Sequence, residues 1–182
     1  MIYKSRNILR NTYIHIILLF SIVSGENWFY QYGNSKENVF QSIAEIPDTG
    51  YVLLGYSNTL GNGLNDLWVV RLDQNLDFLW QRYFGGPENE FGNHIIVHQN
   101  SFIIVGEKNE KENKDVWILK LNSDGEKLWS RTYGGSYDDI AHSIELIEDH
   151  GFFITGIKTT AEKKQQGWVM LLNPDGEIIW EN

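Results

Sequence analysis

Three pairs of tryptophans, each pair twelve residues apart, constrain this chain more than any other feature: Trp68 and Trp80, Trp117 and Trp129, Trp168 and Trp180. The first member of each pair sits in a similar phrase: Asp66-Leu-Trp-Val-Val-Arg-Leu-Asp73, Asp115-Val-Trp-Ile-Leu-Lys-Leu-Asn122 and Gln166-Gly-Trp-Val-Met-Leu-Leu-Asn173. The period is about 50 residues, in the range of architectures whose units stack to bury a shared core.

The repeats also align from the second tryptophan. Trp28-Phe-Tyr-Gln-Tyr-Gly33, Trp80-Gln-Arg-Tyr-Phe-Gly-Gly86 and Trp129-Ser-Arg-Thr-Tyr-Gly-Gly135 match without gaps. Ser42-Ile43, His94-Ile95 and Ser143-Ile144 follow at a constant offset, and then Gly50-Tyr-Val-Leu-Leu-Gly55, Ser101-Phe-Ile-Ile-Val-Gly106 and Gly151-Phe-Phe-Ile-Thr-Gly156. Asn122-Ser-Asp-Gly125 and Asn173-Pro-Asp-Gly176 set Asp-Gly between apolar runs, a strong hairpin signal. The first repeat has Asp73-Gln-Asn-Leu76 at that place.

Each unit therefore reads as four short strands, in the third repeat roughly 141–147, 151–157, 167–173 and 177–182. Val, Ile, Phe, Trp and Tyr fill them, as strands prefer. Near-continuous apolar runs predict strands covered on both faces. The fold class expected is all-β, with three repeats (28–79, 80–128 and 129–182) forming propeller-type blades of four antiparallel strands. Closed propellers take about four to eight blades. Three blades predict a partial propeller, a ring closed by self-association, or a fragment of a longer gene. Exposed blade faces would leave apolar patches that soluble monomers rarely carry. Trp28–Gly33 reads as an extra outer strand able to pair with a neighbouring blade.

The segment Leu121-Asn-Ser-Asp-Gly-Glu-Lys-Leu-Trp-Ser-Arg-Thr-Tyr-Gly-Gly135 resembles the Asp-x-x-x-Gly-x-x-x-Trp docking motif of quinoprotein-type propellers, with a shorter turn. It is more similar to the secreted propeller-like repeats of Bacteroidetes-type bacteria, with their Trp-x-x-x-Tyr-Gly-Gly and Trp-Val-x-Lys-Leu phrases. The resemblance spans residues 28–182 and implies a repeat family rather than an activity. Many such proteins end in a sorting domain for type IX secretion, and none follows Trp180 in this sequence.

Residues 1–25 read as a signal peptide. Lys4, Arg6 and Arg10 form a basic region, 13–23 is an apolar run, and Val23-Ser-Gly25 offers a cleavage point. The run is shorter than the roughly 20 residues that span a bilayer. The protein is thus expected outside the cell or at its surface, with 26–182 as the repeat domain and no membrane partner after cleavage. Residues 26–182 carry all 24 acidic residues and 12 of the 15 basic ones. That surface repels phosphate backbones and argues against nucleic acid. With no cysteine, disulfides and thiolate chemistry are excluded.

Candidate chemistry is thin. The tryptophans could stack on sugars, but their recurrence assigns Trp68, Trp80, Trp117, Trp129, Trp168 and Trp180 to the repeat framework. Gly85, Gly86, Gly134 and Gly135 could cradle a ligand; the reading preferred is positive φ at a tight exit from the strand. Glu88, Glu90, Asp138 and Asp139 supply oxygens that Ca2+ could use. Without an Asp-x-Asp-x-Asp-Gly loop they read as solvated loop charge, so no metal is assigned. His94 and His98 lie about 13 Å apart along a strand, too far to share a metal, and His142 falls near the His94 position in the next repeat. No Ser-His-Asp order, phosphate loop or His-Glu-x-x-His motif occurs, and no cofactor is expected. The function expected is an exported, non-catalytic repeat module that binds a protein or glycan, or is displayed, at the cell surface. The competing expectations are a polysaccharide-acting enzyme (an endoglucanase-like glycoside hydrolase) or its accessory module, and a truncated remnant of a longer propeller protein.

Overall fold

The computed structural model describes the backbone of residues 19–22 and 26–29, and residues 37–59, 61–110, 113–148 and 150–182. All regular structure among them is β. The first sheet holds β3 (Asn38–Ile46), β4 (Gly50–Ser57), β5 (Asp66–Leu72) and β6 (Phe78–Phe84). The second holds β7 (Glu90–His98), β8 (Ser101–Glu110), β9 (Asn113–Asn122) and β10 (Lys127–Tyr133). The third holds β11 (Ile140–Ile147), β12 (Gly151–Thr159), β13 (Gln165–Leu172) and β14 (Ile178–Glu181). Each is an antiparallel meander in chain order. The third sheet matches the strands read from the sequence to within two residues at every end. A two-stranded hairpin, β1 (Leu19–Ile22) with β2 (Glu26–Phe29), precedes them. Trp28 therefore pairs with Phe20 rather than with a four-stranded sheet. The rest of the 1–25 segment and of Trp28–Gly33 lies outside the described residues.

In the second sheet the apolar runs are buried on both faces because a sheet stacks on either side. Every residue of β5 is buried. Between the first and second sheets lie Val52, Leu54, Leu67 and Val69 against Ile95, Phe102, Ile104, Trp117 and Leu119. Between the second and third lie Ile103, Val105, Val116 and Ile118 against Ile144, Phe152, Ile154, Trp168 and Met170. Each fully buried aliphatic or Phe side chain contributes about 1.5–3 kcal/mol, so these two seams carry most of the core. Trp68, Val70 and Leu72 form a third cluster on the other face of the first sheet.

Polar contacts repeat at both seams. On the first strand of each sheet, Ile95 N–H donates to Ser42 Oγ (3.3 Å) and Ile144 N–H donates to His94 Nδ1 (3.1 Å). On the last strand, Arg82 donates to the carbonyl of Asp124 (3.1 Å) and Arg131 to that of Asp175 (2.9 Å). Both acceptors lie in the Asp-Gly turns, where Asn122 Oδ1 accepts from Asp124 and Glu126 N–H and Asn173 Oδ1 from Asp175 and Glu177 N–H. Asp73 plays the same part in the first sheet, accepting from Asn75 and Asp77 N–H.

Bulges recur as well. Register shifts fall between Arg71 and Leu72, between Lys127 and Trp129, and between Leu171 and Leu172. They leave Leu79, Leu128 and Ile179, each just before a tryptophan, pointing outward and exposed. A bulged outer strand is a poor template for pairing with another chain. Hydrogen bonds between sheets join only neighbours among the described residues, and no sheet closes on itself.

Candidate functional site

The sites worth weighing lie where one sheet passes into the next. Here the Phe-Gly-Gly and Tyr-Gly-Gly segments turn the chain from an outer strand to an inner one. Positive φ is not the reason for these glycines, contrary to the expectation from sequence: among the described residues the glycines with positive φ are Gly50, Gly125, Gly151 and Gly176. The reason is close approach. A Cβ on Gly85 would lie 2.2 Å from Asp66 Oδ1 and 2.4 Å from Glu90 Oε2. A Cβ on Gly134 would lie 2.1 Å from Asp115 Oδ1 and 3.0 Å from Asp139 Oδ2. Gly135 has nothing within 4 Å and Gly86 only an ordinary contact, so the second glycine of each pair is not sterically required.

Each seam thus brings together two carboxylates from different sheets. Oxygens of Asp66 and Glu90 both lie within 2.4 Å of one point, so they are within about 5 Å of each other; Asp115 and Asp139 sit similarly. The acids expected as solvated loop charge therefore divide. Glu88 and Asp138 are exposed, whereas Glu90 and Asp139 are buried because the next strand begins beneath the preceding sheet. The partners the sequence reading missed are Asp66 and Asp115, two residues before Trp68 and Trp117. Their recurrence was the available signal, and Gln166 replaces them in the third repeat.

The electrostatics follow from that burial. Desolvation pushes the Glu90 carboxyl up, opposed by the Gly86 N–H bond and assisted by the Asp66 charge. Asp115 is also pushed up, first by burial, then by Asp139 and Glu110, against hydrogen bonds from Gly135 and Asn113. No group of three or more His, Asp or Glu side chains gathers as metal ligands among the described residues.

The remaining sequence candidates serve the seams. Trp68, Trp117 and Trp168 are buried, Trp80 and Trp129 partly so, and Trp180 is 49% exposed. His94 is a link between sheets, with Ser143 Oγ also 3.1 Å from Nδ1. His98 lines a cleft of about 310 Å³ with His150, Glu148 and Phe152. A more polar cleft, about 530 Å³, lies at the opposite end of the second seam. Asn113, Ser136, Tyr137, Asp138, Lys163 and Gln165 line it. Amides, a hydroxyl, a charge of each sign and one phenol ring converge there.

No protein-family model matches this sequence, and no curated protein matches it. Among solved structures, a crystal structure of the eukaryotic initiation factor is similar over 92% of this chain, at 7% identity and a TM-score of 0.49. The chain spans 40% of the length of that protein. A likeness at this level carries no argument.

Proposed function

We propose that the chain is an exported, non-catalytic β-propeller-type repeat module whose work is binding at the cell surface or outside the cell. The observation that carries this reading is the pair of equivalent seams. Sheets of four antiparallel strands stack face to face, and each outer strand clasps the turn of the next sheet, as blades of a propeller do. Export rests on the basic and apolar segments of residues 1–25.

The polar cleft over the second seam is the binding site this reading favours, and a saccharide suits it best. Asn113, Ser136, Asp138 and Gln165 offer donors and acceptors to hydroxyls, and Tyr137 offers a ring to a sugar face. A glycan array probed with the full chain tests this. Binding that is lost in Tyr137→Ala supports it; an array with no ligand leaves the saccharide reading without basis.

One observation favours the competing hydrolase: two carboxylates meet at the seam within about 5 Å of each other, close enough to resemble the paired acids of a retaining glycosidase. Their burial opposes it, since a sugar ring must reach both groups. A reducing-sugar assay on polysaccharides decides between the two. Hydrolysis abolished by Glu90→Gln would establish the enzyme.

Self-association belongs to the same proposal. Ile43 is 62% exposed, while Ile95 and Ile144, at the same repeat position, are 1% exposed beneath a preceding sheet. Trp180 lacks the cover that the neighbouring turns give Trp80 and Trp129. A second copy would extend the arc, and light scattering of the full chain reads it directly: a monomer at all concentrations refutes it.

A further inference from the structure

The two seams differ in one respect that points to a ligand. In the second, the Asn113 side-chain amide sits among three oxygens. It donates to Asp115 Oδ1 (3.0 Å) and to the carbonyls of Gly135 (3.1 Å) and Tyr137 (3.4 Å). The first seam repeats the oxygens: Asp66 Oδ1, the Gly86 carbonyl and the Glu88 carbonyl. The two carbonyls converge, both within 2.6 Å of where a Gly63 Cβ would be. Leu64 N–H donates to the Glu88 carbonyl (3.1 Å), but the side-chain donor is not repeated, and Asp66 Oδ1 is the oxygen left without a partner. Leu64 stands where the second seam has Asn113, and its side chain is 58% exposed.

The result is an oxygen-rich pocket with an unmet acceptor. Asp66 and Glu90 are each 1% exposed. Asp66 Oδ2 accepts from Gly63 N–H (3.2 Å) and Glu90 Oε2 from Gly86 N–H (2.9 Å). Asp66 Oδ1, aimed at the Gly85 notch beside Glu90, is buried with no hydrogen-bond partner. A buried unpaired carboxylate oxygen is costly, and two carboxylates facing each other are more so.

We propose that the first seam binds a divalent cation, Ca2+ by its chemistry, on the Asp66 and Glu90 carboxylates with the Gly86 and Glu88 carbonyls. The ion takes the place that the Asn113 amide fills in the second seam. Ca2+ fits better than Mg2+ because it accepts mixed carboxylate and carbonyl oxygens in irregular geometry, whereas Mg2+ demands a near-ideal octahedron and keeps its waters. The bound ion joins β5 of the first sheet to β7 of the second, so it acts as a clamp between sheets.

The test uses the full chain, stripped with chelator and titrated with CaCl2 while the melting temperature is followed. Terbium luminescence sensitised by the nearby tryptophans reports occupancy. A hundredfold excess of Ca2+ over its dissociation constant is expected to raise the melting temperature by about 5–10 °C. Leu64→Asn installs the donor of the second seam at an exposed position. It is expected to remove the calcium response without lowering the calcium-free melting temperature. Glu90→Gln is expected to weaken terbium binding at least tenfold. An equal calcium response in wild type and Leu64→Asn would place the ion elsewhere and overturn the proposal. So would a wild type indifferent to calcium and stabilised by acid, the behaviour of a proton shared between the two carboxyls.

Discussion

The indole of Trp80 lies against Gly125 across the first seam: a Cβ at Gly125 would stand 2.8 Å from Trp80 Cη2. Arg82 completes the contact, with its guanidinium carbon 5.3 Å from the centre of the Trp80 ring and a hydrogen bond to Asp124 in the same turn. Trp129, Arg131 and Gly176 repeat the arrangement at the second seam. One glycine therefore answers two demands, positive φ in the turn and room for a tryptophan from the preceding sheet.

Gly125→Ala is expected to destabilise the protein by about 2–4 kcal/mol. A side chain at φ +77° costs about 1 kcal/mol or more, and overpacking against Trp80 adds about 1–3 kcal/mol. Gly135→Ala is the control, with open space and no positive φ, and should change stability by less than about 0.5 kcal/mol. Urea unfolding of both variants measures the difference.

His94→Ala should cost about 1–3 kcal/mol, because Ile144 N–H is buried at the seam and loses its acceptor. His94→Ser should recover much of that loss, since Ser42 accepts from Ile95 N–H at the equivalent place in the first seam. Full stability in the alanine variant would mean the bond contributes nothing.

Gln99, between β7 and β8, holds φ +54° on an exposed turn. Gln99→Gly relieves that conformation and touches no core contact. A gain of about 0.5–1 kcal/mol is expected after the entropic cost of glycine, read as a rise in melting temperature.

Alkaline unfolding should follow two tyrosines. Burial pushes the Tyr133 and Tyr83 hydroxyls up to about 12, and Tyr133 donates to the Gly176 carbonyl. A raised folded-state value favours the protonated form, so its contribution is intact below the unfolded value near 10 and is lost as pH rises from there to about 12. Tyr133→Phe should flatten that fall and lower stability at neutral pH by about 1 kcal/mol. Tyrosinate absorbance titrations of the wild type and of Tyr133→Phe check that this hydroxyl ionises late.

The strands were legible because their signals are local. The apolar stretch Leu67-Trp-Val-Val70, the glycine-bounded run Gly50–Gly55 and the Asp-Gly turns each act over a few residues. The seams were only half legible. Recurrence marked Trp80 and Trp129 as framework positions, but nothing nearby in the chain announces that Trp80 meets Gly125. Asp66 and Glu90 belong to different sheets, and their encounter depends on how those sheets stack. Spacing counted within one loop pairs Glu90 with Glu88 instead. Gly85 misled for a related reason: a turn glycine suggests φ, and only the folded neighbourhood exposes the carboxylates that leave no space for a methyl group.

Because the clasps run only between neighbours, the three sheets form a series rather than a mutual network. Among the described residues the second sheet alone is held on both faces by a sheet of the same kind. Fraying should therefore advance inward from the flanks, with amide hydrogens of Ile103–Val105 and Val116–Leu119 the last to exchange with solvent. Cooperativity in such a molecule is a property of its contacts taken two at a time, and cutting one of them should leave two partly independent melting units.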